Sequence, residues 1–224
     1  LWKRYAKEKI WCNYRGWGAV WYQLLHQCRD NNRKQCKVCS QLVCFRVYRG
    51  ECSYSLGEMM QAVILAAGEG KRVRPLTRSR PKALLPVANR PIIEYVIEAL
   101  LKNGIRDIVV VVGYRKEQVI RFLNELDVPI TVVVQDKQLG TAHALNCAKS
   151  HISGDFLLLP GDNYIDPHSI GRIKDIRNAM LIKDHPSPSN FGVVLLKDGL
   201  VTRIIEKPEH SPSFMVSTGI FSLT

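Results

Sequence analysis

From residue 59 to the end of the chain, short apolar runs alternate with longer stretches whose apolar residues recur at helical spacing. Ala62–Ala66, Ile108–Val112, Ile130–Val134 and Phe156–Leu159 read as strands, the first of them buried on both sides. Ile92–Leu101 carries apolar residues at 92, 93, 96, 97, 100 and 101, the stripe of an amphipathic helix that ends near Asn103-Gly104. Glu117–Leu126, Thr141–Lys149 and a segment around Ser169–Asn178 supply further helices. Strand and helix in alternation specify an α/β architecture, a mostly parallel sheet with helices on its faces. The pattern then changes to extended segments at Met180–Ile182, Gly192–Leu196, Val201–Ile205 and Met215–Phe221, a strand-rich second part without internal repeat. Ligands of such sheets bind beyond the carboxyl ends of the strands, which directs attention to the loops after residues 66, 134 and 159.

Composition divides the chain near residue 58. Residues 1–58 hold 11 Lys/Arg against 4 Asp/Glu, all four Trp, and Cys12, Cys28, Cys36, Cys39, Cys44 and Cys52, whereas residues 59–224 hold 21 against 16 and Cys147 alone. The net charge of +12 points to an anionic partner, but the organised part is only mildly basic, so a phosphorylated substrate fits better than nucleic acid or a membrane surface. The chain opens on Leu, its first Met is Met59, and the first strand begins at Ala62. Residues 1–58 are therefore read as an atypical extension upstream of a start at Met59 or Met60, and residues 59–224 as the domain. The alternative for the extension is a zinc or nucleic-acid module built on Cys36-Lys-Val-Cys39. A structural zinc site needs four ligands, typically as two close pairs, and only one such pair is present. No apolar run approaches the roughly 18 residues of a membrane span, and no secretory signal pattern opens the chain. A soluble, cytoplasmic protein is expected; a homo-oligomer is left open.

The first strand runs into Leu65-Ala-Ala-Gly-Glu-Gly-Lys-Arg72, a loop with two glycines and then two cations. Small residues let the backbone approach a phosphate chain, its N–H groups form an anion cradle, and the cations neutralise the charge. The spacing fits neither the dinucleotide fingerprint nor the triphosphate loop ending in Gly-Lys-Ser/Thr, so by itself it is equally a tight turn. It continues through Arg74-Pro-Leu-Thr77 and Arg80-Pro-Lys-Ala-Leu-Leu-Pro86 to Asn89-Arg-Pro-Ile92, with Lys82 held between a proline and a Leu pair.

From Val63 to about Leu101 this arrangement resembles, without a gap, the sugar-1-phosphate nucleotidyltransferase family. The resemblance implies a Rossmann-like, nucleotide-diphospho-sugar transferase type of fold with a strand-rich sugar-binding part. It also implies that Leu65, Ala66 and Gly68 hug the nucleotide, while Arg72 and Lys82 act as the catalytic cations on the phosphates and leaving pyrophosphate. Phosphoryl transfer asks a protein mainly for positioning and charge neutralisation, which suits an arginine fork and a lysine point charge.

The third strand ends in Val134-Gln-Asp-Lys-Gln-Leu-Gly-Thr-Ala-His-Ala-Leu145. Gln side chains both donate and accept, Gly140 permits close approach, and Thr141 is expected to cap the next helix. This suits a planar base edge, or simply an amide-rich loop before a helix. The loop resembles that of N-acetylglucosamine-1-phosphate uridylyltransferases, which implies uridine contacts for Gln135, Gln138, Gly140 and Thr141. His143 is expected to serve only the packing of its helix. In Leu157-Leu-Leu-Pro-Gly-Asp-Asn163 a carboxylate stands at the exposed end of a buried strand, placed either to cap a turn or to hold Mg²⁺; the resemblance makes Asp162 the metal ligand. Asn163 is commoner in the glucose-1-phosphate thymidylyltransferase branch, which admits dTTP beside UTP.

On the sugar side, the resemblance assigns Gly192, Glu206, Lys207 and Ser217 to the sugar-phosphate pocket, although Glu206-Lys207 could equally be a surface ion pair. Ser217-Thr-Gly219 stands where the uridylyltransferases usually have Asn-Thr-Gly or Asn-Ala-Gly. Family members continue well beyond the point where this chain stops. They add further sheet, a second acidic or amide metal ligand and, in some branches, a left-handed β-helix that transfers acetyl groups, so the domain is expected to be C-terminally incomplete. Two functions follow: an enzyme joining N-acetylglucosamine 1-phosphate, or glucose 1-phosphate, to UTP or dTTP, and a non-catalytic nucleotide-sugar binding fragment.

Overall fold

The computed structural model describes residues 42–44 and 60–224; the expectations for the rest of the 1–58 extension, the Cys36 and Cys39 pair included, lie outside the described residues. In chain order the elements are β1 (Leu42–Cys44), β2 (Gln61–Ala66), β3 (Pro86–Val87), β4 (Arg90–Pro91), α1 (Ile92–Lys102), β5 (Asp107–Val112), α2 (Lys116–Asn124) and β6 (Ile130–Val134). There follow α3 (Thr141–Ala148), β7 (Phe156–Pro160), α4 (Pro167–Ile173), β8 (Ala179–Asp184), β9 (Gly192–Lys197), β10 (Leu200–Glu206) and β11 (Met215–Leu223).

A nine-stranded sheet runs in the order β1-β8-β11-β7-β2-β5-β6, with the β9–β10 pair attached through β11. Its centre, β7-β2-β5-β6, is parallel. The strand-rich part joins the same sheet in antiparallel fashion, because β11 pairs with both β7 and β8. The sheet is mixed, with the expected parallel core. β1 pairs with Ala179–Leu181 of β8. No helix among the described residues is long and apolar enough to cross a membrane.

The period-two alternation of a strand explains why both faces are covered. Ala62, Ile64 and Ala66 of β2 point into a cluster with Ile93, Val96, Ile97 and Leu100 of α1, Val119 and Leu123 of α2, and Ile170 and Ile173 of α4. Val63 points the other way, into a cluster with Ala144 and Ala148 of α3 and Val194 and Phe221 of the strand-rich part. Helices thus flank the parallel strands on both sides, and β2 is buried along its length apart from the half-buried Leu65.

One helix differs from expectation. The segment placed at Ser169–Asn178 is helical from Pro167 to Ile173. Asp166 caps it, accepting from the Ser169 N–H at 3.2 Å, and Pro167 occupies the first turn, where a missing N–H costs nothing. The helix ends early because the chain must turn into β8, which it does through Asn178 at a φ of 50°.

Among the described residues, the Ser222 hydroxyl is the one fully enclosed side-chain polar atom without a partner. An unsatisfied buried hydroxyl costs about 1–3 kcal/mol of desolvation. Ser222→Ala is therefore expected to raise stability by about 1 kcal/mol, read as a higher urea midpoint at unchanged slope; a lower midpoint would contradict this account of Ser222.

Candidate functional site

The register of the central strands sets the carboxyl ends of β2, β5 and β7 level, with Leu65 opposite Val111 on one side and Pro160 on the other. Their loops are bonded to one another: Gly161 N donates to Leu65 O at 2.9 Å, Tyr114 N to Ala67 O at 3.1 Å, and Gln135 N to Val112 O at 2.8 Å. A Cβ on Gly161 would stand 3.0 Å from Ala66 Cβ and from Ile64 Cγ2, so the loop after β7 lies tight against β2.

The loop after β2 turns at Gly70, whose φ of 66° opens the single 3-10 turn Lys71–Val73. Thr77 is 1% exposed, and its hydroxyl donates to Gly70 O at 2.9 Å. Tyr114 adds its own hydroxyl 3.2 Å from Thr77 O. Glu69 pairs with Lys71 at 3.4 Å and with Arg74. Desolvation pushes the Glu69 carboxyl up, but the hydrogen bonds from Arg74 and Lys71 outweigh it and hold the group below the usual carboxylate range. Arg72 is exposed and makes no hydrogen bond or ion pair with any described residue. Of these three cations it is the one left available to a ligand.

Lys82 opens a 3-10 turn, Lys82–Leu84, fixed by buried Pro81, Ala83 and Leu84. The buried pair beside it is Ala83 and Leu84 rather than the two leucines, because Leu85 is half-exposed where the chain leaves the turn. Its ammonium lies 2.5 Å from Asp162 Oδ2 across 80 residues of sequence. The candidate phosphate cation and the candidate metal ligand are thus direct neighbours.

Among the described residues no group of three or more His, Cys, Asp or Glu is placed to hold a metal. A closed protein cage for a divalent ion is therefore not formed by them. Asp162 does fit the other way of binding Mg²⁺, through one or two carboxylates together with substrate phosphates: its side chain is 33% exposed and sits at a strand's carboxyl end.

The sugar-side residues also converge. Gly192 lies opposite Glu206 in the β9–β10 ladder, and a Cβ there would stand 3.2 Å from Glu206 Oε2 and 3.8 Å from Ser217 Cβ. Lys207, at a φ of 44°, reaches 4.0 Å from Glu206 Oε1, a loose surface pair of the kind worth little. Asn163 Nδ2 donates to Thr218 O at 3.4 Å, which ties the Asp162 loop to this group.

In the loop after β6, Gln135 is 4% exposed and its Nε2 donates to Gly140 O at 3.0 Å. Gln138 is exposed. The helix cap falls on Gly140 rather than on Thr141, which is the first helical residue. The reason is backbone geometry: at φ 102° and ψ −177° Gly140 occupies a region essentially restricted to glycine, so the chain turns one residue earlier than a Thr cap requires. His143, expected to serve only helix packing, has its Nδ1 2.9 Å from Gln135 Nε2. Thr77, Tyr114, Glu69 and His143 are the supporting residues that sequence reasoning missed. Thr77, Glu69 and His143 lay in stretches already singled out, Arg74–Thr77, Leu65–Arg72 and Val134–Leu145; Tyr114 did not.

The model of the family described as Nucleotidyl transferase matches residues 61–224. The chain belongs to the nucleotidyl transferase family. A bifunctional protein GlmU of Methanococcus maripaludis is 43% identical over 167 residues, covering 73% of this chain and 40% of its own length. The UTP–glucose-1-phosphate uridylyltransferase AglF of Haloferax volcanii is 41% identical over 175 residues, with 74% of this chain and 72% of the relative covered. Among solved structures, a putative glucose-1-phosphate thymidylyltransferase from Bacillus anthracis, in complex with a sucrose, superposes with a TM-score of 0.60 at 29% identity, covering 73% of this chain and 71% of that one. This nucleotidyl transferase chain therefore spans two-fifths of the length of the GlmU relative.

Two glycines of the loop are expected to respond differently to a methyl group. At Gly70 a Cβ would meet Lys82 Cβ and Thr77 Cγ2 at 3.1 Å, on top of a left-handed backbone worth about 1–2 kcal/mol of strain, so Gly70→Ala is expected to lower stability by at least that amount. At Gly68 nothing lies within 4 Å, and Gly68→Ala is expected to stay within about 0.5 kcal/mol of the parent. Urea unfolding of both variants checks the contrast.

Proposed function

We propose that this chain carries the site of a sugar-1-phosphate nucleotidyltransferase, joining a sugar 1-phosphate to UTP with release of pyrophosphate for nucleotide-sugar synthesis in the cytoplasm. The observation that carries this is the juxtaposition of Lys82 and Asp162, 2.5 Å apart beside the Gly68–Gly70 loop, with Arg72 unpaired among the described residues. That edge offers two cations and one carboxylate beside a loop that is tightly packed at Gly70 and open at Gly68. Such a set binds and orients a triphosphate.

The chemistry asks for no covalent nucleophile and no general base. A phosphate oxygen of the sugar 1-phosphate, already ionised, attacks the α-phosphorus in line. The bond from α-phosphorus to the bridging oxygen breaks, and pyrophosphate leaves with the electron pair. Arg72 and Lys82 hold the β- and γ-phosphate oxygens and neutralise the charge that develops on the leaving group. Leu65, Ala66 and Gly68 let the backbone approach the nucleotide. Asp162 would hold Mg²⁺, which when bound supplies further neutralisation of the triphosphate. Gln135, Gln138, Gly140 and Thr141 read the base, and Gly192, Glu206, Lys207 and Ser217 face the sugar phosphate, with Glu206 accepting from sugar hydroxyls.

For the sugar we infer N-acetylglucosamine 1-phosphate. A second reading, glucose 1-phosphate with UTP or dTTP, is favoured by the relative AglF, which this chain matches over 72% of its length, and by the thymidylyltransferase structure.

Pyrophosphate release, measured for UTP and dTTP against a panel of sugar 1-phosphates with Mg²⁺, tests the proposal. Arg72→Met and Lys82→Met are each expected to lower kcat/KM by about 10²-fold or more, the loss typical of removing one donor to developing charge. Asp162→Asn is expected to abolish the response to Mg²⁺. UTP binding without pyrophosphate release would reduce the function to nucleotide binding. Gly68→Ala, expected to leave the fold intact, should weaken UTP binding if the backbone approaches the phosphates there.

A further inference from the structure

His143 and Gln135 form a contact that the proposed reaction does not use. Gln135 follows β6 directly, and only 4% of its surface is exposed. Its amide nitrogen lies 3.0 Å from Gly140 O and 2.9 Å from His143 Nδ1. A carbonyl oxygen can only accept, so the nitrogen end of the amide must face Gly140, and its second hydrogen then points at His143 Nδ1. To take that hydrogen, Nδ1 acts as the acceptor of the contact. The Cys147 thiol also approaches Nδ1, at 3.9 Å, but a single ring lone pair is already taken by the shorter amide contact. Gln135 Oε1 accepts nothing from any described residue, yet it is not among the fully enclosed unpartnered atoms. Two contacts therefore fix the nitrogen end of the amide and leave its carbonyl oxygen without a donor among the described residues.

We propose that His143 is a positioning residue for base selection: by accepting the second N–H of Gln135 it holds the amide with Oε1 outward, so that the site takes pyrimidines carrying an N–H at ring position 3 and rejects those with a bare nitrogen there. This rests on the base-reading role of Gln135 proposed above. Uracil and thymine offer that N–H to Oε1, whereas cytosine presents an acceptor at the same position and meets another acceptor. Without the His143 acceptor, one N–H of a nearly buried amide is left unsatisfied, and rotation of the side chain outward, nitrogen first, becomes the way to satisfy it. An outward N–H suits cytosine. His143 therefore sets the sign of the hydrogen bond offered to the base rather than contributing to affinity in general.

Equilibrium binding of UTP and CTP to the full chain tests this without requiring turnover, with the urea midpoint as a control for folding. His143→Phe keeps a ring and removes the acceptor. It is expected to narrow the UTP-over-CTP affinity ratio by about tenfold, the worth of one hydrogen bond. His143→Asn, whose Oδ1 can stand in for Nδ1, is expected to restore most of that ratio; His143→Leu replaces the Phe variant if the latter fails to fold. Unchanged discrimination in a folded Phe or Leu variant overturns the proposal, as does an Asn variant no better than Phe. Gln135→Leu separates this from the reading beneath it. If that variant keeps the preference for UTP, or the parent chain binds neither nucleotide, the base-reading role itself fails. If Gln135→Leu loses the preference while His143→Phe keeps it, only the role of His143 fails.

Discussion

The parallel pairing of Gln61–Ala66 with a strand on each side is the constraint from which the site follows. A strand buried on both faces and bonded along both edges cannot shift register without moving every side chain to the wrong face. The loops leaving β2, β5 and β7 are therefore held at one level. With the strand ends fixed, the backbone of one loop lies against another: Gly161 N bonds Leu65 O, and a side chain at Gly161 would collide with Ala66 and Ile64. The distance from Lys82 to Asp162, short across 80 residues of sequence, joins that register, which sets the Asp162 end, to the buried turn of Pro81, Ala83 and Leu84, which sets the Lys82 end.

Electrostatics then sorts charges that the sequence leaves equivalent. Lys71, Arg72 and Arg74 stand within four positions of one another, and any of them could meet a phosphate. Folding gives Lys71 and Arg74 to Glu69, a clasp that closes the loop on itself and that includes neither Arg72 nor Lys82. Thr77 and Tyr114 brace the same turn from beneath, through the carbonyls of Gly70 and Thr77. The loop's shape is thus set by a carboxylate, a hydroxyl and a phenol, none of which resembles a phosphate ligand when read along the chain.

The parallel core and α1 were legible because burial on two faces, or on one helical stripe, writes itself into local periodicity. Ile92–Leu101 was expected and Ile92–Lys102 is observed. The start of α4 was legible in principle from Asp166-Pro167, while its end was obscured by the apolar residues at 173 and 176, which extend the helical pattern past the point where the chain turns. The grouping of Gly192, Glu206 and Ser217 is consistent with the family pattern, but their mutual distances depend on strand pairing that no local pattern records. The bond between His143 and Gln135 was not legible at all. A histidine one turn into a helix has the same local signature whether it packs or accepts, and the difference lies in a backbone position, Gly140 at φ 102°, that brings the preceding loop back over the helix.

The Lys82–Asp162 pair also limits what can happen at this edge. At 2.5 Å each charge satisfies the other, and the side chains, 28% and 33% exposed, are sheltered enough for the attraction to be only partly screened. The ammonium has three N–H donors, so Lys82 can keep one on Asp162 and turn another toward a phosphate, its single positive charge then shared between two anions. An anion arriving alone would place two negative groups on one ammonium. An anion arriving with its own cation would satisfy both groups at once. On the function proposed above, a counter-ion that comes with the phosphate would relieve this crowding of negative charge around Lys82, which ties the binding of the two together.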